Sequence, residues 1–204
     1  MARTVNAARH EQRRGAIVAA AAQLFADHGY AGTTTAGIAT AAGISTGALF
    51  HYFRSKRELF LALFELDTQE WERWFAQADC RPDPWAALLR LVDRVAAEAL
   101  DPSAAGLVVE TMAQARRDPA VAALVEKNDR TILEGVSRLV RRLEAAGVTH
   151  AGMPPEEAAR WVVTLLDGLY SRGYPEPDFD PAAETGRVRT LLARLLRHDD
   201  PEQS

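Results

Sequence analysis

Thr33-Thr34-Thr35-Ala36-Gly37-Ile38-Ala39-Thr40-Ala41-Ala42-Gly43-Ile44-Ser45-Thr46-Gly47-Ala48-Leu49-Phe50-His51-Tyr52-Phe53 reads as two short helices joined by a tight turn. Thr33 and Thr34 can cap the first helix, Ile38 and Ala39 form its inward side, and Ala42-Gly43 supplies the turn. The second helix starts near Ser45, carries Leu49 as its inward anchor and ends around Tyr52-Phe53, with Phe53 also facing inward. Upstream, Ile17, Ala20, Ala21, Leu24 and Phe25 mark one face of a helix over 9–28, stopped by Gly29. Downstream, Ser55 and Glu58 form a capping box that opens a longer helix through Leu59, Leu63, Leu66 and Phe75.

Beyond Cys80 the apolar positions recur at three and four, and Pro, Gly and Asp punctuate helices over 84–100, 103–117, 119–146, 155–172 and 182–198. The clear breaks are Asp118-Pro119, 147–155 and 173–181. No period-2 run of β-branched residues appears, so the fold class is all-α with about nine helices.

Two short helices with a glycine-bearing turn, packed on a longer first helix, project the last short helix into a DNA major groove. Here that helix presents Ser45, Thr46, Gly47, Ala48, His51 and Tyr52. Small residues at its start let the backbone approach base edges, and the hydroxyl and ring groups bond to phosphates. Thr33 and Thr34 stand at the N-terminus of the preceding helix, an anion site for a phosphate, and Lys56 adds a charge. His51 and Tyr52 also suit half-buried packing positions on so short a helix.

Charge agrees with this division. The first 60 residues hold Arg3, Arg9, Arg13, Arg14, Arg54, Lys56 and Arg57 against Glu11, Asp27 and Glu58, a net of +4 in a chain of net −4. A basic third on an acidic body is the footprint of a DNA-contacting module, or a solvated charged surface. With 48% hydrophobic and 25% charged residues over 204 positions, the chain is neither disordered nor fibrous. Cys80 is the only cysteine, which excludes an intrachain disulfide and fits a reducing compartment, the cytoplasm. No run approaches the roughly 20 apolar residues that span a bilayer, and no signal core follows the N-terminal arginines. The chain is therefore expected to be neither exported nor inserted.

Enzyme motifs are weak. Gly43-Ile44-Ser45-Thr46-Gly47 satisfies the nucleophile-elbow rule, but an alanine-rich helical segment stands where an elbow requires a strand. There is no P-loop, and His10, His28, His51, His150 and His198 are scattered beyond metal-ligand spacing, so neither metal nor cofactor is expected.

The stretch 29–39 together with 42–59 resembles the DNA-binding domain of the tetracycline-repressor (TetR) family, over roughly residues 11–71. The resemblance implies a homodimer, a nine-helix subunit, a DNA-binding domain over 11–71 and a ligand-binding and dimerisation domain over 72–204, joined through the fourth helix. It further implies a repressor released from a palindromic operator when a small molecule binds. Phe50 stands where a tyrosine is commoner in that family, and Ala36-Gly37 replace the usual charged pair. The segment Val109-Glu110-Thr111-Met112-Ala113-Gln114-Ala115-Arg116-Arg117-Asp118-Pro119 is similar to one subtype, the choline-responsive betaine regulators.

In the C-terminal body, Trp71, Trp74, Phe75, Trp85, Leu89, Val92, Met112, Trp161 and Leu165 are candidate walls of an apolar pocket, or plain core. Glu110, Gln114, Thr164 and Asp167 are its candidate polar groups. Glu110 interrupts an apolar helical run and needs a partner, internal or a cationic ligand. Trp161, Val162, Leu165, Leu166 and Leu169 face Val188, Leu191, Leu192, Leu195 and Leu196 across the last two helices, stripes wide enough for a four-helix dimer interface or for intrachain packing. Rival functions are a ligand carrier with a vestigial DNA head and a serine hydrolase built on Ser45.

Overall fold

Aspartate-proline pairs set four of the helix starts. Proline at the first helical position has the right φ and needs no N–H there, while the preceding carboxylate accepts a free N–H of the first turn. Asp83, Asp101, Asp118 and Asp180 accept from the backbone of Ala86, Ser103, Ala120 and Ala182, each at 2.9 Å. The structure, a computed structural model, describes residues 2–99, 101–173, 178 and 180–197. Among these the chain forms nine helices and no strand: α1 (Ala2–Gly32), α2 (Thr35–Ala41), α3 (Thr46–Tyr52), α4 (Lys56–Asp79), α5 (Pro84–Ala99), α6 (Pro102–Ala115), α7 (Pro119–Ala145), α8 (Pro155–Gly173) and α9 (Pro181–Leu195). The expected helix ends at Leu100 and His198, and most of the 173–181 break, lie outside the described residues.

Where expectation and structure part, the difference is local. α1 begins at Ala2 rather than at 9. Gly29 does interrupt it, with φ +68, but one more turn follows to Gly32. The box at the start of α4 is skewed: Ser55 Oγ accepts from Glu58 N at 3.1 Å, whereas the Glu58 carboxylate reaches past Ser55 to accept from Arg54 N at 2.7 Å. α2 and α7 end alike: Gly43 (φ +66) donates to Thr40 and Ile44 to Ala39, as Gly147 (φ +68) donates to Glu144 and Val148 to Leu143. This is the Schellman pattern, which needs a left-handed residue and so favours glycine.

The chain divides into two compact units, residues 1–69 with 106–126, and residues 70–105 with 127–204. In the first, Ile17, Phe25, Ile38, Leu49, Phe53, Leu59 and Phe60 form a fully buried core, joined by Val121 from α7. α6 approaches α1 backbone to backbone: a Cβ on Gly106 would stand 2.7 Å from the Ala26 carbonyl oxygen. Arg57 at the start of α4 grips Asp118 through two hydrogen bonds, Nε at 2.5 Å and Nη2 at 2.9 Å. In the second unit, Phe75, Leu88, Leu91, Leu139, Leu143, Val162 and Leu192 make the core, and the Phe75 ring lies against Gly135 where a Cβ would overlap it.

Gly135→Ala therefore overpacks a closed core and should lower unfolding stability by about 1–3 kcal/mol in a urea titration; an unchanged midpoint would show that the Phe75 ring moves freely. A second expectation concerns acid. The hydrogen bond from Arg57 holds the Asp118 carboxyl below the usual carboxylate range, so its contribution is present above about pH 4 and is lost as pH falls through the folded-state value. Asp118→Asn keeps a capping oxygen and removes the charge. Its melting temperature should lie below that of the unsubstituted chain at pH 7 and converge on it as pH falls through the folded-state value of Asp118, and a gap independent of pH would show that the charge contributes nothing.

Candidate nucleic-acid interface

α3 is short, and its position is set from within. Leu49 and Phe53 are 1% exposed and fix its inner face, while Ser45, Gly47, Phe50 and His51 are exposed and Thr46, Ala48 and Tyr52 half-buried. Ser45 caps it, accepting from Ala48 N at 3.1 Å, and Thr34 caps α2, accepting from Gly37 N at 3.0 Å. Both hydroxyls keep their hydrogen for an outside acceptor. Their oxygens are used.

Two of the expected DNA contacts turn inward. Thr33 is 3% exposed, and its hydroxyl shares its hydrogen between the carbonyls of Leu24 (2.9 Å) and Gly29 (2.8 Å), the latter also accepting from Thr33 N at 3.2 Å. Lys56 donates to the carbonyls of Tyr30 (2.5 Å) and Thr33 (2.8 Å), with its ammonium 4.4 Å from the Tyr30 ring centroid. Both residues shape the motif: the Thr33 hydroxyl has no hydrogen left for a phosphate, while Lys56 keeps one of its three. Thr34, Ser45, Thr46, Gly47, Ala48, His51 and Tyr52 stay on the outer side or its edge. Phe50, 47% exposed, joins them, and its ring suits contact with a thymine methyl. The sequence pattern also hid a contact between His10 and Tyr52, stacked at 4.7 Å, because no spacing rule links positions so far apart.

Ser45 does not sit on an elbow. It follows α2 and the Gly43 turn, where a nucleophile elbow has a strand.

The pocket candidates scatter. Trp71, Phe75 and Val92 are core residues of the second unit, with Trp74, Trp85 and Leu165 packed on them; Leu89 is half-buried. The Arg94 guanidinium lies 4.2 Å over the Trp71 ring. Glu110 and Met112 belong to the other unit: Glu110 accepts from Gln114 at 2.7 Å, an internal partner, and Met112 is 62% exposed. Trp161 is 49% exposed, and Thr164 and Asp167 are exposed too. An open depression of about 580 Å³ lies among Glu144, His150, Gly152, Met153, Pro154 and Arg197.

The α8 and α9 stripes split. Leu166, Leu169, Val188 and Leu192 are buried in the second unit's core, Leu165 and Leu195 half-buried, and Trp161 and Leu191 (46% exposed) turn outward. Intrachain packing accounts for half of the expected interface. Among the described residues no helix is long and apolar enough to cross a membrane, and no three metal-binding side chains cluster.

Comparison with known proteins agrees with the helix-turn-helix. The family model of bacterial regulatory proteins of the TetR family matches residues 17–63, and that of the C-terminal part of BetI-type transcriptional repressors matches residues 84–197. The chain is similar to the HTH-type transcriptional regulator CymR of Pseudomonas putida, 34% identical with 98% of this chain and 88% of that one covered. It is likewise similar to the HTH-type transcriptional repressor AcnR of Corynebacterium diphtheriae, 26% identical with 93% and 94% covered. Among solved structures, Salmonella enterica GusR superposes with a TM-score of 0.70 at 28% identity, covering 91% of this chain and 96% of that one.

Proposed function

This chain belongs to the TetR family of bacterial regulatory proteins and is a DNA-binding transcriptional repressor; from that premise we propose that it binds a near-palindromic operator as a homodimer, in the cytoplasm, and leaves it when a small molecule enters the C-terminal helices. The observation that carries the DNA side is α3 itself. Its apolar anchors Leu49 and Phe53 are fully buried, and its small and polar residues Ser45, Thr46, Gly47, Ala48, His51 and Tyr52 form the accessible edge. Glycine and alanine bring the backbone close to base edges, and Thr46 and His51 supply the hydrogen bonds that read them. Thr34 and the Ser45 hydroxyl meet the flanking phosphates. A twofold pair of such helices, spaced by about one turn of the duplex, reads two half-sites.

Trp161 and Leu191 support the dimer. Two large apolar side chains exposed on neighbouring helices, with Leu165 and Leu195 half-buried beside them, suit burial against the same face of a second copy. The effector acts only through its different affinity for the DNA-bound and free conformers. Trp71, Phe75, Trp85, Val92 and Leu165 share one packed core, so an effector in that region requires their rearrangement.

Two measurements test this. In a mobility-shift assay with DNA from upstream of the chain's own locus, the unsubstituted protein should give palindrome-dependent binding, and Thr46→Ala should lose about 1–3 kcal/mol of discrimination at one base position. Uniform weakening on every sequence would sink the role given to Thr46. In sedimentation velocity, Trp161→Glu with Leu191→Glu should give monomers of unchanged helicity, and a persistent dimer would place the interface elsewhere.

A further inference from the structure

Six of the seven basic side chains in the first 60 residues are described, and they fall into two classes. Arg14, Lys56 and Arg57 are occupied: Arg14 by Glu65 at 3.3 Å and Glu11 at 3.7 Å, Lys56 by two carbonyls, Arg57 by Asp118. Arg9, Arg13 and Arg54 are exposed, and their side chains have no hydrogen-bond or ion-pair partner among the described residues.

The free class gathers at one end of α3. His10 stacks on Tyr52 with ring centroids 4.7 Å apart, and the Arg14 guanidinium lies 5.2 Å over the Phe53 ring. These two contacts hold α1, at residues 10–14, along the last residues of α3. Arg9 and Arg13 adjoin the two contact residues in the chain, one helical turn apart, and Arg54 directly follows Phe53. The one carboxylate in 9–14 is Glu11, which Arg14 holds.

We infer that Arg9, Arg13 and Arg54 are phosphate-binding charges of this protein, forming a second DNA-contacting element on α1 and the α3–α4 link. The inference rests on the reading that α3 enters the groove. An unpaired guanidinium offers a planar set of donors that matches two phosphate oxygens. Such contacts fix register without reading sequence. The ammonium of Lys56 gives two of its three hydrogens to carbonyls inside the motif, where it positions α3 through Thr33 and the end of α1.

The test is the salt dependence of binding of the full chain to a short duplex of arbitrary sequence, followed by fluorescence anisotropy between about 50 and about 200 mM KCl. Each phosphate contact contributes about 0.9 to the slope of log K against log salt, so the triple variant Arg9→Ala, Arg13→Ala, Arg54→Ala should lose about 2.7 of slope per bound copy. Its circular dichroism should be unchanged, since all three side chains are exposed. A triple variant with the original slope overturns the inference. Absence of salt-sensitive binding by the unsubstituted chain overturns instead the reading of α3 on which the inference stands.

Discussion

The DNA-binding unit depends on one half-buried cation. At the kinked end of α1, and where the chain passes into α2, the carbonyls of Tyr30 and Thr33 have no helical partner, and Lys56 from the start of α4 supplies the donor for both. An ammonium has three hydrogens and no directional plane, so it can serve two carbonyls on different segments while lying on the Tyr30 ring. That single group ties three elements together. Thr33 completes the joint by satisfying Leu24 and Gly29 from the other side. With α1 and α2 fixed to α4, Leu49 and Phe53 have a defined seat, and α3 acquires the orientation that presents its polar edge.

The second constraint comes from far along the chain. Residues 106–126 are counted with the DNA-binding unit because α6 has a glycine where it meets α1, and because Asp118 serves twice, as N-cap of α7 and as the partner of Arg57. Arg57 is the neighbour of Lys56. A displacement of 106–126 therefore bears on the residue next to the cation that fixes α3. Glu110 adds to the same region: a Cβ at Gly29 would come within 3.0 Å of its carboxylate, so the positive-φ glycine also leaves room for that side chain.

Local rules made most of the fold legible. Asp-Pro pairs, the two Schellman glycines and the Ser55 start carry their geometry within six residues or fewer, and the helices they bound could be placed from them. Composition told inward from outward on α3 because Leu49 and Phe53 are its large apolar anchors. Tertiary partnership was not legible. Thr33 and Lys56 have the residue types of phosphate ligands, and only the folded chain brings carbonyls within their reach. Gly106 and Gly135 look like weak points in helices until the surfaces they face are known. The apolar stripes on α8 and α9 divide for a related reason: a stripe gives the width of a buried face, and the split between own core and outer face depends on how α5 and α9 fill the space.

An acidic chain that binds an acidic polymer is no paradox once screening is counted. The Debye length at physiological ionic strength is about 8 Å, so a charge farther than that from a phosphate hardly acts on it, whatever part of the protein carries it. The net charge of −4 sums over the whole molecule, whereas binding samples only the groups near the duplex. Within that range an ion pair already closed inside the protein contributes little, because its field is cancelled by its partner. Arg14 and Arg57 are in that condition, whereas the unpaired guanidiniums beside α3, and the Lys56 ammonium bonded only to neutral carbonyls, keep their charge. A small number of local contacts keeps indiscriminate binding weak. The base contacts of one short helix can then decide where the protein stays.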